Sequence, residues 1–266
     1  MKLKFFSITI VLLLVLSACA PKNQANAGQS GTASQQESNP STSSGPSAKD
    51  LSGALNAVLG GTDSPSVFPS YHIDLVLNTP TANDDYTAIV NETLSIQADV
   101  QGKNVHIIQT DPGATESKEG YIIGDTDKEY KMVDGQPQEM LGQIALGWAM
   151  WPLTVVLPYS MASALYSHHI GSETLNGRSA EVYEIDSAKG DPAALAIMAG
   201  TGLIGVSQAA GKVWIDRETG GMLKLELAYT TGISNLAGDT KLGDGQGTIS
   251  LEISQIGQIT VTSPVQ

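Results

Sequence analysis

The sequence predicts an α+β domain: a large antiparallel sheet with helices on one face. Segments of period-two apolar and polar alternation recur from Tyr71 to Ile253, separated by turn residues, and read as strands with one wet face. Two long stretches interrupt them, Met140 to Tyr166 and Pro192 to Gly211, and neither carries an Asp, Glu, Lys or Arg. The helices are expected there and in a short amphipathic segment near residue 50.

At the N-terminus Lys2 and Lys4 precede an apolar run that closes at Leu16-Ser17-Ala18-Cys19. This pattern reads as a secretory signal peptide, residues 1–18, ending in a lipobox. Small residues at Ser17 and Ala18 fit a peptidase site, and the Cys19 thiol would take diacylglycerol and then an amide-linked acyl group such as palmitate. Cys19 is the single cysteine, so no disulfide forms within the chain. The expected address is the outer side of the cytoplasmic membrane, with acyl chains as the anchor in place of a membrane span. Residues 19–49 follow as a lipidated terminus and tether rich in Ser, Gly, Asn and Gln, too poor in large apolar groups to fold alone. About thirty such residues span roughly 30 Å. Residues 50–266 are of a size for one domain.

Asp50 is placed to cap a helix over Leu51 to Leu59, ended by Gly60-Gly61. Strands are then expected at Tyr71 to Leu77, Thr87 to Val100 and Asn104 to Thr110, with a turn at Gln101 to Asn104, followed by a hairpin of Tyr121 to Ile123 and Glu129 to Val133. Pro137 and Glu139 suit the first turn of a helix that opens the uncharged run. Pro152 and Pro158 break that run into bent pieces. Asn176-Gly177 is a hairpin turn before Ala180 to Ile185. Asp191-Pro192 begins the second run, helical to about Ala199 and looser through Gly200, Gly202 and Gly205. Lys212 to Asp216, Leu223 to Leu227, Thr248 to Ile253 and Ile259 to Val261 complete the strands.

The formal charge is −13, and −15 once Lys2 and Lys4 leave with the signal peptide. Such an acidic chain is a poor partner for nucleic acid or for an anionic surface bound through charge. Three readings are open for Met140 to Tyr166. It is long enough to cross a bilayer, but the strands on its two sides belong to one sheet. It could be filled core. Or sheet and helices could enclose a cavity for a lipid-like ligand. Trp148, Trp151, Leu153, Val156, Met161, Leu165, Leu203, Ile204 and Val206 are chosen as cavity candidates on apolarity alone.

KVWIDRETGGMLKLEL at Lys212 to Leu227 resembles a strand-turn-strand pattern of bacterial lipoprotein carriers of the LolA/LolB and LppX/LprG type. LNGRSAEVYEI at Leu175 to Ile185 and the close from Ile253 to Pro264 are similar to segments of the same superfamily, in the same order, nearest the LppX/LprG group. The resemblance implies a strongly curved half-barrel sheet over helices, a cavity for acyl chains, and no catalysis. It transfers no defined set of ligand residues.

Other chemistry has little support. Adjacent His168 and His169 cannot share a metal as an i, i+4 pair does, and with His72 and His106 they read as surface or helix-end residues. Asp125-Thr126-Asp127 lacks the glycine and closing glutamate of a calcium loop. No nucleophile motif is present, and no metal or cofactor is expected. The expected function is a monomeric, non-catalytic envelope lipoprotein that binds or transfers a lipid or acylated molecule. A structural or partner-binding lipoprotein with a filled core, presented to an envelope protein, is the alternative.

Overall fold

The computed structural model describes residues 48–60, 65–124, 126, 128–142, 144, 148, 155, 167–189, 206–234 and 241–265, all within the compact unit Ser43–Gln266. Helix α1 is Ala48–Leu59. The strands are β1 Ser70–Ala82, β2 Ile89–Gln101, β3 Asn104–Thr110, β4 Lys118–Ile123, β5 Lys128–Val133, β6 Gln136–Met140, β7 Ser167–Leu175, β8 Arg178–Asp186, β9 Val206–Asp216, β10 Met222–Ser234 and β11 Lys241–Ser254. All pair antiparallel in one open sheet, ordered β6-β5-β4-β3-β2-β1-β11-β10-β9-β8-β7. Only the β1–β11 pairing joins strands far apart in sequence. It holds a seven-pair register from His72↔Ser254 to Asn78↔Thr248.

One face is apolar because the alternation stays in register across the strands. Leu75, Leu251, Leu225 and Val213 occupy successive positions on β1, β11, β10 and β9, and all are buried. Ile96, Ala98 and Val100 on β2 and Val105 and Ile107 on β3 extend the face one way, Tyr183 and Ile185 on β8 the other. Helix α1 lays Leu51, Ala54, Leu55 and Val58 onto this face, spaced for one helical side. Gly60, at φ 70, ends the helix where a side chain would be strained. Burying side chains of this kind stabilises by about 1.5–3 kcal/mol each.

The two carrier-like motifs knit the lower end of the sheet, the end at which β1 begins. In the β9–β10 turn, Asp216 is buried and accepts from the Thr219 amide at 3.1 Å and its hydroxyl at 2.6 Å. Arg178, from the turn after Asn176-Gly177, donates to the same carboxylate at 3.0 and 2.7 Å and lies 5.5 Å over the Phe68 ring. Burial alone would raise the Asp216 pKa, but Arg178 and Thr219 outweigh it and hold it below the ordinary carboxylate value. A Cβ on Gly221 would stand 2.9 Å from both Phe68 and Val67, so the second glycine of the turn admits the helix connection.

Several boundaries depart from the sequence expectation. Helix α1 begins at Ala48, so Asp50 sits in its first turn instead of capping it. Residues 136–140 are the edge strand β6, opened by an Asp134-Gly135 turn with φ 52 and 74, and Pro137 is tolerated there because an edge strand leaves one side unpaired. His168 and His169 lie on the other edge strand, β7, not at a helix end. Residues 206–211, read as the loose tail of an uncharged helix, are strand. Ile259–Val261 is not a strand; the tail is tied by the Ile259 amide to Ser70 Oγ at 3.2 Å and the Val261 amide to Gln101 Oε1 at 3.0 Å.

Candidate ligand-binding face

The apolar face extends beyond the helix that covers it. Strands β1, β10 and β11 run well past Leu77, Leu227 and Ile249 toward the upper end, and the side chains facing the same way there change character. On β10 the inward series continues Leu225, Leu227, Tyr229, Thr231, all buried, against Glu226 and Ala228, which are exposed. Gly247, paired with Tyr229, has no side chain because the Tyr229 ring occupies the place of its Cβ. Burial raises the Tyr229 pKa, opposed by Thr79 beside its hydroxyl. Thr231 Oγ1 is buried and, among the described residues, is the side-chain oxygen left without a partner.

The uncharged run touches this face at three described positions. Ile144, Trp148 and Val155 are helical; Val155 belongs to the buried cluster, and Ile144 and Trp148 pack against it half-buried. The run is held at its start by Glu129, a buried carboxylate facing inward from β5, whose Oε2 accepts from the Ile144 amide at 2.9 Å. Beside it Gly120 leaves room for Ile144, since a Cβ there would be 2.7 Å from Ile144 Cδ1.

Topology gives this run its path. Strand β6 is one edge of the sheet and ends at the lower end; β7 is the opposite edge and starts at the upper end. The chain between Met140 and Ser167 therefore joins the two edges. No helix among the described residues is long and apolar enough to cross a membrane.

Of the residues chosen from sequence, Trp148 is placed against the core cluster, and Val206 begins β9 opposite Thr231. Cys19, Trp151, Leu153, Val156, Met161, Leu165, Leu203 and Ile204 lie outside the described residues. Glu129, Tyr229 and Thr231 were not among the candidates. The alternation of β10 marks Tyr229 and Thr231 as inward once its register is known, whereas nothing local distinguishes Glu129 from a solvated strand carboxylate.

The opposite face is polar across β1 to β4, while at β8 and β9 it buries Val182 and Trp214. His72, Asp99 and His106 stand in one cross-strand row; Asp99 Oδ1 is 2.6 Å from His72 Nδ1, and Glu119 Oε1 is 2.9 Å from His106 Nε2. The His106 ring stacks on Tyr121 with centroids 4.4 Å apart. At the β7 edge, on the face that Tyr183 occupies, His169 Nε2 lies 2.6 Å from Glu181, which also accepts from Ser172. These contacts hold the Glu181 carboxyl below its usual range, His169 foremost, against burial that would raise it. No group of three or more metal-type side chains gathers among the described residues.

An open antiparallel sheet with one wet face, one apolar face and an uncharged crossover places the chain in the α+β class. No protein-family profile matches the sequence, and no curated protein matches it. Among solved structures it is similar to lipoprotein LppX of Mycobacterium tuberculosis, at 16% identity over 81% of this chain and 97% of that one, TM-score 0.39. LprF of Mycobacterium bovis is similar at 14% identity over 82% and 97% of the two chains, TM-score 0.39. A putative outer membrane lipoprotein-sorting domain of Vibrio parahaemolyticus is similar at 10% identity over 71% and 86%, TM-score 0.17. LppX carries the name of the group that the motifs resemble. At these TM-scores none of the similarities bears on function, which must come from this chain's own residues.

Proposed function

We propose that the protein is a non-catalytic cell-envelope lipoprotein, anchored through Cys19, that binds or transfers a lipid or acylated molecule between its sheet and a helical cover. The observation that carries this is the uncharged run passing from edge to edge over an apolar face larger than α1 covers. The motif resemblance implies a curved sheet whose apolar face is concave, and the 26 residues between β6 and β7 join its two edges. Each ligand CH₂ transferred there from water would contribute about 0.8 kcal/mol, so an acyl chain needs no charged contact.

Native mass spectrometry of the full chain carrying Cys19→Ser, extracted gently, is expected to show co-purified lipid. A lipid-free protein that also takes up no fluorescent fatty acid would refute the reading. That outcome would leave the filled-core alternative, a partner-binding lipoprotein, which the complete burial of Val155 favours.

A further inference from the structure

Thr231 stands at the end of an apolar series, and its hydroxyl has no partner. The neighbouring polar groups are otherwise engaged: Thr79 stands beside the Tyr229 hydroxyl, and Ser207 Oγ donates to the Thr230 carbonyl at 3.3 Å. Leaving a buried hydroxyl unpaired is costly, and such a group in a native fold calls for a partner. One inward step below Thr231 the face carries the hydroxyls of Thr79 and Tyr229, and one step further down it is aliphatic, with Leu227, Ile249 and Leu77. The face thus grades from hydrocarbon to hydroxyl along β10.

Among the described residues no cation serves this end: Lys189 and Lys241, which lie toward it, are exposed and paired, with Glu184 and Asp244. A carboxylate or phosphate brought beside Thr231 would lose its hydration without a countercharge, which is strongly unfavourable. An uncharged carbonyl oxygen accepting one hydrogen bond from Thr231 Oγ1 fits both the hydroxyl and the absence of charge.

We infer that Thr231 is the polar subsite of the ligand-binding face and that it selects an uncharged acyl ester, its hydroxyl donating to the ester carbonyl while the chain lies along Leu227 and Ile249. This rests on the lipid-binding reading above. The test uses the full chain carrying Cys19→Ser, loaded with diolein or with oleic acid and read by native mass spectrometry and by melting temperature. Wild type should retain diolein over oleic acid. Thr231→Val, near-isosteric but without the donor, should weaken diolein retention about tenfold, leave oleic acid unchanged, and raise the melting temperature of the ligand-free protein. Thr231→Ser should restore diolein. Wild type retaining diolein while Thr231→Val retains it equally overturns this inference alone; wild type retaining neither probe overturns the lipid-binding reading with it.

Discussion

Asp216 shows how much one side chain holds. It closes the β9–β10 turn through Thr219, pairs with Arg178 from the preceding hairpin, and is buried while doing so. Asp216→Asn keeps the shape but removes the charge that Arg178 faces. We expect a loss of about 2–4 kcal/mol, between a charged hydrogen bond and a fully buried ion pair, because Arg178 is partly solvated. Urea unfolding checks this; an unchanged midpoint would contradict it. The ID-x-x-TG pattern was legible in the sequence as a hairpin. Its bond to Arg178 was not, because the two residues meet only when β8 pairs with β9.

Elements were read best where periodicity alone decides. The alternation of β1, β10 and β11 and the face of α1 follow from the spacing of their apolar residues, and these are the parts where expectation and structure agree. Expectation failed where tertiary pairing overrides local preference. Pro137 and Glu139 suit a helix start, yet Gln136–Met140 finds an edge to join, and Ile259–Val261 finds none and is tied by side chains. The start of the crossover depends on Glu129 and Gly120, which belong to other strands. Glu129→Ala should remove the acceptor of the Ile144 amide and speed its hydrogen exchange about tenfold, the worth of one charged hydrogen bond. Amides of β10 should be unaffected, and Glu129→Gln should recover part of the protection. Equal exchange in all three proteins would mean that the carboxylate does not hold the crossover.

At the scale of the whole molecule, acid is the expected weakness. Asp111, Glu181, Glu184 and Asp216 are all held below their ordinary carboxylate values. His169 leads at Glu181 and Lys189 at Glu184, while at Asp111 and Asp216 Lys118 and Arg178 with their neighbours overcome a larger opposing effect of burial. The unfolded chain therefore binds protons at higher pH than the folded one. Stability should be fully present above about pH 5 and fall as pH drops through 4 and below. Melting temperatures between pH 6 and 3 check the sign, and Asp216→Asn should flatten the limb. A melting temperature that rises on acidification would contradict it.

The sequence by itself determined the strand alternation, the amphipathic helix, the glycine turns and the uncharged character of the crossover, because each depends on neighbours within a few residues. The expected anchor at Cys19 also belongs to the sequence, as a local chemical pattern. Only the tertiary structure decided that β6 and β7 are opposite edges, which the uncharged run joins. Strand order and buried partners are settled by closing contacts between residues far apart in the chain. That is why Glu129 and Thr231 gained meaning only in the fold.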